Sequence, residues 1–177
     1  MKRFIPVLIF VLFMALLAAL LLRPKDEQHQ ASQPLPVLTL APFAKGATWD
    51  QDALKGKVTL INFFASWCTP CEAEMHELVA LRKQFPRLNM VGVAWNDDEK
   101  TLGAWLKKHG NPFHGVWVDM KGENTIALGI KGIPETLIVD GAGQVRYRLA
   151  GPVTEALLAN EINPLLETLT AEASHAP

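Results

Sequence analysis

The stretch "VTLINFFASWCTPCEAEMHELVALRKQF", Val58 to Phe85, decides the local architecture. Its first seven residues are a β-branched and aromatic run, the pattern of a strand buried on both faces. From Cys71 onward apolar residues return near helical spacing (Met75, Leu78, Val79, Leu81, Phe85) until Pro86 stops the helix. Between strand and helix stand Trp67 and the chain's only two cysteines, Cys68 and Cys71, separated by Thr69 and Pro70.

A lone cysteine pair has three uses. A structural disulfide closing so short a loop constrains the unfolded chain by only about 2 kcal/mol. A structural zinc needs four ligands, of which this pair supplies two. The nearest histidine, His76, follows Cys71 by five positions, about 140° around a helix, so the two do not converge. Covalent haem attachment requires a histidine directly after the second cysteine, where this chain has Glu72. The third use is redox. A cysteine at a helix N-terminus meets unpaired N–H groups and the positive end of the helix dipole, both of which favour the thiolate. The thiolate fraction at pH 7 is about 3% for a pKa near 8.5 and about half for a pKa of 7. Cys68 is then the accessible nucleophile and Cys71, one turn inward, resolves the mixed disulfide. Pro70 fixes φ where the helix can spare an N–H. No cofactor beyond the Cys68–Cys71 disulfide and no metal is expected.

Working outward, "NMVGVAW" reads as a second strand and "DDEKTLGAWLKKHG" as a helix with an acidic start, a basic end and a stopping glycine. "GVWVD" is a short strand, "ENTIALGI" one or two helical turns, and "ETLIVDGAGQVRYRL" a β-hairpin about a Gly-rich turn. "TEALLANEINPLLETLTAE" closes the chain as a helix disturbed at Pro164. The expected fold class is α/β, a mixed central sheet with helices on both faces.

Upstream, Phe4 to Leu22 is nineteen residues without a charge. As a helix it spans roughly 28 Å, one hydrocarbon core. It exceeds a signal-peptide core, and no small-x-small site closes it, so a retained anchor is expected. Lys2 and Arg3 favour a cytoplasmic N-terminus. The expected division is an anchor over 1–23, a Pro-bearing tether over 24–36, a domain over 37–170 and a tail over 171–177. Hydrophobic residues make up 49% of the 177, enough for one core outside the anchor. The net charge is −1, and setting aside Lys2, Arg3 and Arg23 leaves 14 basic against 18 acidic side chains. That balance holds no basic stripe for nucleic acid.

"LINFFASWCTPC" resembles the strand-loop-helix signature of the thioredoxin superfamily, and "GIPET" resembles the loop in which such folds carry a cis-proline facing the cysteines. The resemblance implies a cis Ile133–Pro134 bond and an Ile133 backbone free to pair with an extended substrate chain. "WNDDEKTLGAWLKKHGNPF", "GIPETLIVDGAGQVRYRLAG" and "EINPLL" narrow it to the CcmG/DsbE family of membrane-anchored periplasmic thiol:disulfide interchange proteins. That family implies a periplasmic domain on a bacterial inner-membrane anchor, and a reductant for cytochrome c maturation. Its partners would be apocytochrome c or maturation proteins and a membrane thiol electron donor. Thr69-Pro70 departs from the Pro-Thr order frequent in the family and matches sister reductases. An anchored reductase of another exported-protein pathway, a copper carrier for oxidase assembly and a non-catalytic binding module stay open.

Thioredoxin keeps a buried Asp six residues before its first cysteine, where this chain has Asn62. Asn62 cannot accept a proton, yet resolution requires Cys71 to lose one. Glu74, on nearly the same helix face as Cys71, and Glu135, after the expected cis-proline, are the candidate replacements. Their charge would raise the thiol pKa values, and a buried one would accept the proton. Trp67 is expected to shield the disulfide. Trp49, Trp95, Trp105 and Trp117 are expected to pack, and "NPF", Asn111 to Phe113, to stop a helix.

Overall fold

A computed structural model describes residues 32–43 and 46–174, together with 10 and 12–14. The expected anchor lies outside the described residues save for 10 and 12–14, which are helical, and so does the tether up to residue 31. No helix among the described residues is long and apolar enough to cross a membrane.

Among the described residues seven strands form one sheet: β1 (Gln33–Pro34), β2 (Ala41–Pro42), β3 (Thr59–Phe64), β4 (Asn89–Trp95), β5 (Gly115–Asp119), β6 (Glu135–Val139) and β7 (Gln144–Ala150). Their spatial order is β1-β7-β6-β3-β4-β5-β2. β3, β4 and β5 are mutually parallel, and β6 and β7 add antiparallel to the other side of β3. The helices are α1 (Thr69–Gln84), α2 (Glu99–His109), α3 (Glu123–Ala127), α4 (Glu155–Leu157) and α5 (Asn163–Ser174), with a π-helical turn over Leu158–Ile162. That wide turn sits just before Pro164, which has no N–H to continue an α-helical ladder. The described domain reaches back before residue 37: β1 pairs with β7, and Leu35 is buried.

Every residue of β3 is buried because both faces of the sheet are covered. Side chains alternate along it. Leu60 and Phe64 enter a core with Met75, Leu78 and Leu81 of α1, Leu102, Trp105 and Leu106 of α2, and Ile162, Leu166 and Leu169 near the C-terminus. Ile61 and Phe63 face the opposite layer, made of Leu35, Leu38, Leu40 and Leu54 from the N-terminal segment with Leu128 and Ile130 beyond α3. Helices thus cover one face fully, while extended chain and one short helix cover the other. Asn62 shares the α1 face with Leu60 and Phe64, the face on which the cysteines also lie.

"NPF" does more than stop α2. Phe113 is buried and stacks on Phe64, with ring centroids 5.1 Å apart. Arg82 of α1 holds the segment by donating to the carbonyls of Pro112 (2.9 Å) and Phe113 (3.0 Å). The Phe113 ring lies over Gly92 of β4, where an added Cβ would sit 2.7 Å from it. Of the remaining tryptophans, Trp49 and Trp117 meet edge to face at 5.0 Å, and Trp105 packs against Phe64.

Candidate active site

The site lies where β3 ends and α1 begins. Cys68 is the N-cap of α1 in extended conformation, and its sulfur accepts from the Cys71 N–H at 3.2 Å. Thr69 and Pro70 form the exposed first turn. Cys68 and Cys71 are joined in a disulfide. Cys71 is fully buried and Cys68 5% exposed, so the pair is unequal in access, as the helix position requires.

Across from the disulfide, the Ile133–Pro134 bond is cis. The Ile133 carbonyl oxygen lies 3.7 Å from the Cys68 sulfur. Pro134 is buried and Ile133 partly exposed. Trp67 stands beside the pair, 57% exposed, and its indole N–H donates to the Asn96 carbonyl at 3.1 Å. It leans on Trp95 with ring centroids 6.2 Å apart.

Beneath the disulfide, Glu74 is wholly buried. One carboxylate oxygen accepts from the Asn62 amide at 3.0 Å and the other from the Val153 N–H at 2.8 Å. The same Asn62 amide nitrogen donates to Thr136 Oγ1 at 3.1 Å. Burial pushes the Glu74 carboxyl up to about 7, against the pull of its two donors. A carboxyl poised there can hold or release a proton near neutral pH. Asn62 stands at the sequence position of the absent acid and donates to Glu74.

Glu135 occupies a different compartment. It pairs in register with Phe63, whereas Thr136 pairs with Asn62, so the pleat sends Glu135 to the opposite face from Glu74. There it is buried and forms an ion pair with Arg148, Nε to Oε1 2.5 Å. Burial raises its carboxyl and the Arg148 charge opposes the shift. The structure therefore brings Asn62 and Glu74 together beneath the cysteines and leaves Glu135 with Arg148 on the far side of the sheet.

Three partners escaped the sequence reading. Thr136 and Val153 are visible only once β6 and the segment after β7 are placed. Asp97, which accepts from Ser66 in the turn before Cys68, comes into view only with the register of β3 on β4, Phe64 opposite Ala94, because the chains leaving these parallel strands run side by side. Among the described residues, no cluster of three or more His, Cys, Asp or Glu is arranged to hold a metal.

Comparison with known proteins decides the family. Residues 31–148 match the AhpC/TSA family. The thiol:disulfide interchange protein HelX of Rhodobacter capsulatus is 36% identical over 137 residues, 77% of each chain. The thiol:disulfide interchange protein DsbE of Escherichia coli is 34% identical over 186 residues, covering 98% of this chain and all of that one. The chain belongs to the DsbE-type thiol:disulfide interchange proteins. Among solved structures, a thioredoxin-family thiol:disulfide interchange protein from Chlorobium tepidum superposes with a TM-score of 0.64 at 26% identity, covering 79% of this chain and 97% of that one. The thioredoxin-like fold and the oxidoreductase pair expected from "SWCTPC" are those of this family.

Proposed function

We propose that this DsbE-type protein is a membrane-anchored reductant working in the periplasm, and that its substrate is the CxxCH disulfide of apocytochrome c or of a maturation partner presenting it. The observation that carries the reading is the unequal pair: a nearly buried Cys68 sulfur at the start of α1, 3.7 Å from the Ile133 carbonyl, with Cys71 sealed beneath it. An extended substrate chain laid along Ile133 would present its disulfide to Cys68.

In the reduced protein the Cys68 thiolate attacks a substrate sulfur. A Cys68–substrate disulfide forms, and the other substrate sulfur leaves as a thiolate. Cys71 then gives its proton to Glu74 and attacks the Cys68 sulfur. The second substrate sulfur leaves, so the substrate has gained two electrons and the protein holds the Cys68–Cys71 disulfide. Glu74 suits the transfer because its carboxyl titrates at about 7 and lies one turn along α1 from Cys71. A membrane thiol donor restores the pair, and no further cofactor takes part.

Thr69-Pro70 supports a second reading, an anchored thiol reductase of another exported-protein pathway. One experiment separates the two. Cys71→Ser leaves Cys68 without its resolver, so mixed disulfides accumulate and mass spectrometry names the trapped partners. Apocytochrome c or its maturation proteins are expected among them, and their absence would overturn the cytochrome assignment.

A further inference from the structure

The turn that delivers Cys68 to the head of α1 is held from outside. Within it the Cys68 N–H donates to the Ala65 carbonyl at 3.2 Å. At its midpoint Ser66 donates twice to one carboxylate: its N–H to Asp97 Oδ2 at 2.5 Å and its hydroxyl to Asp97 Oδ1 at 2.8 Å. Asp97 is 5% exposed, so both bonds form largely out of water, where charge-assisted hydrogen bonds are strongest. The neighbouring Asn96 adopts a φ of 46°, and its carbonyl accepts from the Trp67 indole. Its N–H donates in turn to the Asp119 carbonyl at 3.2 Å, which ties the clasp to β5. Next along the chain, Asp98 caps α2 by accepting from the N–H groups of Lys100 and Thr101.

Three consecutive residues thus have separate tasks: Asn96 holds Trp67, Asp97 holds Ser66, and Asp98 holds α2. A capping role for α2 needs Asp98 alone. The two bonds to Ser66 do nothing for α2; they fix the backbone two residues before the nucleophile.

We infer that Asp97 is a positioning residue for thiol–disulfide exchange: through Ser66 it keeps the Ala65–Cys68 turn closed, so that the Cys68 sulfur stays at the head of α1 after the disulfide opens. In the oxidised protein the S–S bond itself holds Cys68. In the reduced protein that restraint is gone, and the clasp keeps the sulfur within reach of the Cys71 N–H and the helix start that favour its thiolate. The inference rests on Cys68 being the nucleophile.

The test uses the reduced full chain in detergent, with an aromatic disulfide that releases a coloured thiolate. Ser66→Ala removes one hydroxyl and no charge. Its exchange rate at pH 7 should fall about fivefold, and the midpoint of its pH–rate profile should rise by about half a unit. Asp97→Asn should lower the rate about tenfold, and the double variant should be no slower than Asp97→Asn, since the bond that Ser66→Ala removes is one of the two that Asp97→Asn weakens. Ser66→Thr keeps the hydroxyl and should restore the wild-type rate. Ser66→Ala changes no titratable side chain and leaves Glu74 and Asp97 in place, so its midpoint reports position alone. Wild-type rates and midpoints in folded Ser66→Ala and Asp97→Asn would overturn the inference, including when only the melting temperature falls. A wild-type chain that does not exchange at all, or a Cys68→Ser chain that still does, would refute the functional proposal instead.

Discussion

Replacing Glu74 with glutamine removes a charge from a wholly buried position while keeping its shape. In the folded protein the carboxyl titrates at about 7 against an ordinary 4.5. A raised carboxyl pKa means the folded state binds the proton more tightly than the unfolded state. Its contribution is therefore fully present below about pH 4.5 and is lost as the pH rises through about 7. The gap of roughly 2.5 units at 1.36 kcal/mol each puts the cost of the buried charge at about 3 kcal/mol above pH 7. Glutamine avoids that cost. Its oxygen can accept from the Val153 N–H, and its amide can donate to Asn62 Oδ1, which is buried and without a partner among the described residues, once the Asn62 amide turns over. Oxidised Glu74→Gln should match the wild type at pH 4.5 and exceed it by about 3 kcal/mol at pH 8.5, or roughly 10 °C in Tm for a domain of this size. Urea unfolding of both proteins across that range measures the difference. A difference that does not vary with pH, or a wild type that gains on the variant as the pH rises, would refute the claim that Glu74 pays for its burial with a charge. The same variant should resolve mixed disulfides more slowly, so stability and turnover should move in opposite directions.

Two further outcomes follow from the packing. Gly92→Ala should destabilise the domain by about 1–3 kcal/mol, read from the urea midpoint, because its Cβ meets the Phe113 ring at 2.7 Å and Phe113 is held by Arg82. Arg148→Ala strands Glu135 as a buried charge and should cost about 2 kcal/mol at pH 8. The loss should shrink at pH 5, because burial without Arg148 raises the Glu135 carboxyl further and protonation relieves it; equal losses at both pH values would contradict the pairing.

The parts of the fold legible in the sequence were those whose signal is local. β3, α1 and the β6–β7 hairpin announce themselves through apolar period, stop residues and turn glycines, and Pro164 marked the irregular turn before α5. The cysteine pair was legible for the same reason, since strand, loop and helix start are contiguous. What stayed hidden depends on register. Glu74 and Glu135 look equivalent as acids near the expected centre, but Asn62 pairs with Thr136 and Phe63 with Glu135, so the sheet separates them. β1 and β2 are two residues each and carry no period of their own; their place is set by β7 and β5. "NPF" read as a stop because no local pattern shows that Phe113 stacks on Phe64.

The donors around Glu74 also bear on the order in which the chain can settle during synthesis. Asn62 precedes Glu74 by twelve residues, but the Val153 N–H comes 79 residues later. A ribosome-bound chain that ends before Val153 already has β3, β4 and α1 but only half the partners of its buried acid. Such a chain has reason to hold Glu74 in its neutral form, or to keep α1 off the sheet, until the segment after β7 arrives. The acid beneath the cysteines thus makes the last stretch of the domain a condition for closing its first layer.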